Sequence, residues 1–371
     1  MIRRQRPKLY HKEYKLKRLR GFCLRVLICA ALCSWGCGAD KPVQKSDMVM
    51  DTVVTLSASG AEAEAAVTES MARLHELEKM VSPNLPDSDV SRLAQMAGSG
   101  QWVVLHPEVY HLLAVAQDYA AKTNGAFDIT AKPLVDLWGI GTDHSRVPAP
   151  AEIAKAQKLV GWQKLELDEK THSARLLEAG MGVDAGGIAK GMAADEVRKI
   201  YRKHGIKNGL INLGGSSLYA LGVNNEDKPW RIGLRHPRKD DAKEKIAVLP
   251  LSDEALSTSG DYERFFETDG QRYHHIIDPR LGRPAPSGLM SVTITAADKL
   301  EDAGMLTDLL TTTVFVLGPE QGTRFLRTLP AGISGALVDK RYQLWTTHDM
   351  AQRLEEVSKE LQFWQESGEL Q

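Results

Sequence analysis

The chain is 371 residues long and 43% hydrophobic, enough for a sizeable core in one or two compact domains. Its 47 lysines and arginines against 48 acidic residues give a net charge of −1, so the whole chain carries no electrostatic footprint for nucleic acid. All four cysteines (Cys23, Cys29, Cys33, Cys37) lie near the start, which excludes a disulfide framework, a thiolate metal site and a cysteine nucleophile from everything after them.

In chain order, the first twenty residues hold nine lysines and arginines against Glu13 alone. An apolar run follows over 21–36, interrupted by Arg25 and shorter than the roughly 20 residues that span a bilayer. A basic leader and a short apolar run read as a secretion signal. It ends in Ser34-Trp35-Gly36-Cys37, small residues before a cysteine as bacterial lipoprotein processing requires. The expectation is a chain exported to the periplasmic side and lipid-anchored to a bacterial membrane at Cys37. An uncleaved anchor, or cleavage without lipid, is the alternative.

Residues 38–48 are polar and read as a tether. A strand is predicted over 52–56, a helix over 61–81, a loop at 83–87 and a helix over 107–122. Further strands are predicted over 209–213, 230–234, 246–251, 273–277, 291–295, 333–338 and 342–346. Helices are predicted over 189–204, 303–317, 320–329 and 349–365. The strands bunch instead of alternating with helices, which predicts an α+β fold with mixed sheets flanked by helices. One large domain over 49–347 and a C-terminal helical segment over 348–371 complete the division.

Four segments carry chemistry. Val183-Asp184-Ala185-Gly186-Gly187-Ile188-Ala189-Lys190-Gly191 puts glycines before a helix, where backbone N–H groups can meet an anion. Lys190 falls near the apolar stripe of that helix, whereas Asp195, Arg198 and Lys199 face away from it. An ordinary glycine turn with a snorkelling lysine is the plainer reading. Asp308 sits mid-helix among leucines and needs a partner if buried. Thr311 and Thr312 flank it at one turn, an oxygen set suited to Mg²⁺ or Ca²⁺; a buried lysine or arginine partner is the alternative. In 273–277, alternation puts His274 and His275 on opposite faces, so they do not readily chelate one metal, and one could serve as a general base. Thr123–Gly141 holds Ala126, Phe127 and Asp128, which can wall a planar ligand.

In this order the segments resemble the FAD:protein FMN transferase family, of the ApbE type, over about residues 50–318. The matching motifs are Met50-Asp51-Thr52, 86–92, Phe127-Asp128-Ile129-Thr130 through Gly139, 184–191, His275-Ile276-Ile277-Asp278-Pro279, and Asp308 with Thr312. The resemblance implies that Met50, Ala126, Phe127, Asp128, Asp184, Lys190 and Ile276 line an FAD site. It also implies that the Gly187 carbonyl, Asp308 and Thr312 hold Mg²⁺, with Ca²⁺ as the other option. The implied reaction is transfer of the FMN moiety of FAD to a threonine or serine hydroxyl of a target protein, with release of AMP. His275 is the expected proton acceptor. The implied acceptor is a subunit of a membrane-bound redox complex. A Mg²⁺-dependent FAD pyrophosphatase and a non-catalytic FAD-binding lipoprotein are the alternatives. Two positions depart from the family pattern: Asp51 replaces the usual glycine, and Asn84 stands where many relatives carry an aromatic residue.

Overall fold

The computed structural model describes residues 42–364, except Asp240 and Ala242. The basic leader, the apolar run and Cys37 therefore lie outside the described residues. Among the described residues no helix is long and apolar enough to cross a membrane.

The chain opens with a hairpin of β1 (Val43–Val49) and β2 (Thr52–Ser59). Met50 and Asp51 join them with φ of 54° and 57°, the left-handed pair that matches the twist of a two-residue hairpin. Next come α1 (Ala63–Val81) and α2 (Asp89–Gln95), the latter capped by the Ser88 hydroxyl, which accepts from the Ser91 N–H. A subsidiary unit follows: β3 (Val103–Val104), α3 (Pro107–Lys122), α4 (Lys132–Trp138), α5 (Pro150–Gln157), β4 (Leu165–Asp168) and β5 (Ser173–Leu176). Its three strands pair in the order β3-β5-β4, and α3 buries Val109, Leu112, Leu113 and Ala116 in the main core.

The second half begins with α6 (Ala189–Lys203), β6 (Asn208–Leu213) and β7 (Ser217–Leu221). After them come β8 (Trp230–Arg235), β9 (Lys245–Leu251), β10 (Glu254–Gly260), β11 (Phe265–Thr268), β12 (Gln271–His274), β13 (Ile277–Asp278), β14 (Arg283–Pro284) and β15 (Leu289–Ala297). The chain closes with α7 (Ala303–Leu326), β16 (Ile333–Asp339), β17 (Gln343–Thr346), α8 (His348–Arg353) and β18 (Gln362–Phe363).

The centre is a nine-stranded sheet ordered β1-β2-β6-β7-β10-β15-β16-β17-β18, antiparallel throughout except for β17–β18. Alternation along its strands sends Leu56, Ile211, Tyr219 and Ile294 to one face, under α1, α6 and α7. Leu218, Leu256 and Val338 point to the other, where the β8–β9 ribbon supplies Leu249 and Leu251, and α8 supplies Met350. The α+β architecture of mixed sheets flanked by helices thus matches the expectation.

Several boundaries differ. Residues 43–48 are not a tether: all of β1 pairs with β2, and Lys45 ties it to Glu64 and Thr68 of α1. Its polar residues mark a sheet edge, where one side of the strand meets water. The predicted helix over 349–365 ends at Arg353. Beyond it Glu355 exchanges backbone hydrogen bonds with Val248, and β18 adds to β17. Leu354, Val357 and Leu361 cover the ribbon core in that extended path, so their helix-like spacing serves a different geometry. The predicted strand over 273–277 breaks after His274, because the His275 N–H donates to the Arg264 carbonyl and Ile277 pairs with Pro284. The two helices predicted over 303–317 and 320–329 form one element, broken at Gly318 (φ 80°, ψ 177°) and followed by Pro319.

Candidate active site

The start of α6 is shaped by its own sequence. The Asp184 N–H donates to the Ile129 carbonyl at 2.8 Å, and the Asp184 carboxylate accepts from the Gly186 N–H at 2.8 Å, an Asx turn that bends the chain into the helix. Two glycines then allow close approach. A Cβ on Gly187 would stand 3.2 Å from Thr312 Oγ1 and 3.3 Å from Phe127 Cε2. A Cβ on Gly191 would stand 2.2 Å from the Gly304 carbonyl oxygen, so α6 and α7 cross backbone against backbone.

That crossing determines what Asp308 meets. The Gly191 N–H donates to Asp308 Oδ2 at 3.1 Å, and not to the Gly187 carbonyl four residues back, so the helix does not consume that carbonyl. The Ser217 hydroxyl donates to Asp308 Oδ1 at 3.3 Å, and Lys190 Nζ lies 3.9 Å from the same oxygen. Lys190 also donates to the Gly186 carbonyl at 3.3 Å. The buried carboxylate is therefore held by a helix-terminal amide and a serine, with the lysine at longer range. The flanking threonines diverge. The Thr311 hydroxyl donates back to the Asp308 carbonyl and accepts from Ser259, whereas the half-buried Thr312 hydroxyl bonds to no described residue.

The fit to a cation follows from this donor chemistry. Among the described residues no group of three or more His, Cys, Asp or Glu side chains is placed to hold a metal ion. The seam supplies one carboxylate, one hydroxyl without a partner among the described residues and one carbonyl that α6 does not consume, all hard oxygens of the kind Mg²⁺ and Ca²⁺ select.

The wall beside it is mostly internal. Ala126 and Phe127 are buried, the latter against Gly187. Asp128 is buried too, and its carboxylate accepts from the Thr130 N–H and hydroxyl and from the Trp162 N–H, at 2.9, 2.7 and 2.9 Å. Burial raises its pKa against those bonds. Its role in the fold is a tie between the 126–131 and 161–162 segments. Ile276 is buried and its carbonyl accepts from the Ala285 N–H. Met50 arrives from a different element, at the hairpin turn, with its N–H on the Glu78 carboxylate at 2.8 Å. Asp51 is exposed beside it in the left-handed conformation, which explains a glycine preference at that position. Asn84 lies exposed in the loop before α2.

The two histidines have separate environments. His274 is buried, its Nε2–H directed at the Ala285 carbonyl, and burial lowers its pKa to about 4. His275 is half-buried; its Nδ1 lies 3.3 Å from the Arg264 carbonyl, which makes Nδ1 the protonated nitrogen and leaves Nε2 as an acceptor. Tight packing, then Arg264 and Lys190 nearby, hold its pKa well below the ordinary imidazole value. It is neutral at physiological pH.

Several features lie outside the motifs above or differ from their expected setting. Asp195 does not face away: it is buried, and its two oxygens accept from the Gly304 and Met305 N–H groups at 2.8 and 2.9 Å, capping α7. Burial raises its pKa to about 6. Ser217 opens β7 with no motif to mark it, and Ser257-Thr258-Ser259-Gly260, which resembles an anion-friendly loop, is instead part of strand β10. The Gly214-Gly215 turn (φ 71° and 74°) carried a hairpin signal that was available. Gly214 abuts the first hairpin, since its Cβ would lie 2.1 Å from Thr52 Oγ1.

As a class, this is an α+β protein whose polar site is built where two helices cross at one end of an antiparallel sheet. The ApbE family model matches residues 50–337. A relative from Treponema pallidum named FAD:protein FMN transferase is 36% identical over 339 residues, covering 85% of this chain and 91% of that protein. One of the same name from Klebsiella pneumoniae is 39% identical over 250 residues, covering 67% and 75%. Among solved structures, an ApbE protein of Thermotoga maritima superposes with a TM-score of 0.75 at 29% identity, covering 84% of this chain and 99% of that one. The flavin transferase ApbE of Vibrio cholerae gives 0.74 at 27%, with the same coverage. The chain belongs to the ApbE family.

Proposed function

We propose that this chain is an FAD:protein FMN transferase that moves the FMN moiety of FAD to a threonine or serine hydroxyl of a target protein in a Mg²⁺-dependent reaction. The observation that carries this reading is the Gly191 amide on Asp308. It holds a buried carboxylate at the start of α6, on the seam where Thr312 lies beside Gly187, and neither the Thr312 hydroxyl nor the Gly187 carbonyl bonds to another described residue. Those three oxygens would hold Mg²⁺; Ca²⁺ fits the same donors. When bound, the ion supplies charge neutralisation at the pyrophosphate.

This chain's own groups do the rest. The α6 N-terminus and Lys190 present positive potential to the phosphates. Phe127, packed beside Gly187, would offer an apolar wall, with Ile276 and Met50 as the further flavin contacts that the family resemblance implies. The acceptor oxygen bonds to the FMN-side phosphorus, the anhydride bond to the AMP phosphate breaks, and AMP leaves with the bridging oxygen. The hydroxyl proton goes to Nε2 of neutral His275, which its Nδ1–H bond to the Arg264 carbonyl holds in the right tautomer. Water in place of the acceptor hydroxyl would give FAD hydrolysis from the same geometry.

The test is to incubate the protein with FAD, Mg²⁺ and a candidate redox subunit, and to follow AMP, free FMN and in-gel flavin fluorescence. Protein-bound fluorescence with stoichiometric AMP supports transfer. Free FMN alone means a pyrophosphatase, and FAD retained without products means a binding protein. The leader motif supports a second part of the proposal: export, lipidation at Cys37, and an acceptor subunit in a membrane-bound electron-transfer complex. Metabolic labelling with a fatty acid should mark the wild-type protein and not Cys37→Ser; a wild-type protein that takes up no label would refute the lipid anchor.

A further inference from the structure

The helices α6 and α7 carry the same short pattern, Gly191-Met192-Ala193-Ala194-Asp195 in one and Gly304-Met305-Leu306-Thr307-Asp308 in the other. Spacing of four residues puts each glycine and its aspartate on one stripe of the helix. The stripes face each other about a local two-fold relation. Each glycine packs on the other: a Cβ on Gly191 would stand 2.2 Å from the Gly304 oxygen, and one on Gly304 would stand 2.5 Å from the Gly191 oxygen. Each aspartate accepts from the backbone at the opposing glycine. Asp308 takes the Gly191 N–H, and Asp195 takes the Gly304 and Met305 N–H groups.

The two halves of this clamp are used differently. Asp195 is 3% exposed and spends both oxygens on α7 backbone. Asp308 Oδ1 has only the long Ser217 bond at 3.3 Å and Lys190 at 3.9 Å, so it keeps capacity for a ligand. Along the seam the rungs run from Asp195 with Gly304 and Met305, through Gly191 with Asp308, to Gly187 with Thr312. The inner rung is closed and the outer rung is the candidate site. A helix rises about 1.5 Å per residue, so Asp308 and Thr312 stand about 6 and 12 Å along α7 from Gly304. A slide or tilt at the inner rung is carried to both.

We propose that Asp195 is a positioning residue for the oxygen set of the outer rungs. By fixing the first turn of α7 on α6, it sets the span among Asp308, Thr312 and Gly187. The proposal rests on the cation-dependent reading above. It assigns Asp195 no contact with substrate.

The test uses direct cation binding instead of turnover. Mn²⁺ is titrated into the full-length protein and free Mn²⁺ is read by electron paramagnetic resonance, with Mg²⁺ as competitor. Asp195→Asn keeps the side-chain shape but turns an amide donor toward one of the two N–H groups. It should weaken Mn²⁺ binding at least tenfold. Leu249→Ala, in the core on the far face of the sheet, should lower Tm and leave the Mn²⁺ Kd unchanged. If Asp195→Asn does not fold, Asp195→Ser, which accepts one N–H without bringing an amide donor, carries the same expectation. Wild-type affinity in the folded Asp195 variant, or an equal loss in Leu249→Ala, overturns the positioning role. A wild-type protein that binds no Mn²⁺ overturns the cation reading, and this role with it.

Discussion

Gly191→Ala is the sharpest perturbation of the helix crossing. The added Cβ would meet the Gly304 oxygen at 2.2 Å, its carbonyl carbon at 2.6 Å and Met305 Cα at 2.7 Å, all backbone atoms that no rotamer change can move. A carbon–oxygen contact settles near about 3.4 Å, so α6 and α7 must part by about 1 Å. Overpacking of this kind costs about 1–3 kcal/mol. The separation also stretches the Gly191 N–H···Asp308 bond from 3.1 Å, and a hydrogen bond to a charged group contributes about 1.5–3 kcal/mol. Alanine returns about 1 kcal/mol through helix propensity. The net loss of about 2–4 kcal/mol should lower Tm by roughly 3–6 °C in a chain of this size. Scanning calorimetry reads that term, and initial rates of AMP release at saturating Mg²⁺ read the displacement of Asp308, which should cut the rate at least tenfold. A Gly191→Ala protein with wild-type Tm and rate would refute the backbone-on-backbone seam and the role given to its amide.

Asp308→Asn keeps the Gly191 amide bond but removes the charge, so folding should be preserved while AMP release falls on the order of 10²–10³-fold, as for loss of one electrostatic contact at a reacting centre; near-normal release in a kinetic assay counts against the site. His275→Asn should lower transfer about 10²–10⁴-fold. In the unaltered protein the acid limb of the rate should lie below the ordinary imidazole range, because the His275 pKa is depressed; a limb centred near pH 6.5 contradicts its environment. His274 is buried and neutral, with its pKa lowered to about 4 against 6.5 when unfolded. The unfolded chain therefore binds the proton first as pH falls, and stability drops between those values by up to about 3 kcal/mol. Asp195 acts in the opposite sense, since its pKa is raised to about 6 and its contribution to stability declines as pH rises from 3.8. Urea unfolding at pH 7 and pH 5 should show a smaller acid loss in His274→Gln than in the unaltered protein, and an equal loss removes His274 as the cause.

Legibility in the sequence followed how local each determinant is. The helix over 107–122 was readable to the residue, because Pro107 opens it and its apolar stripe repeats at 3.6. The order of the motif segments along the chain carries the family, which the family model over residues 50–337 bears out. The seam was not readable. The partner of Asp308 is a backbone N–H 117 residues away, and backbone donors leave no mark on a sequence. Asp195 lies off the apolar stripe by angular counting, yet the glycine crossing brings α7 so close that this flank is covered as well. The serines of β10 resemble a loop because they interrupt its apolar residues; Ser257 and Ser259, with Ser217 at the start of β7, instead meet Thr307, Thr311 and Asp308. At the C-terminal end, apolar spacing alone could not separate a helix from an extended cover.

The break at Gly318 gives α7 a mechanical consequence. With φ at 80° and ψ at 177° followed by Pro319, the hydrogen-bond ladder stops there, and the element behaves as two rods joined by a hinge. The first rod bears Asp308 and Thr312; the second packs Leu326 against the sheet near Gly335. Strain carried along the second rod meets the hinge six residues past Thr312 before it reaches the donors. Along the helix itself, movement of the segment after Gly318 is thus passed less directly to the seam, and a Gly318→Ala change, strained at φ 80°, would disturb that joint.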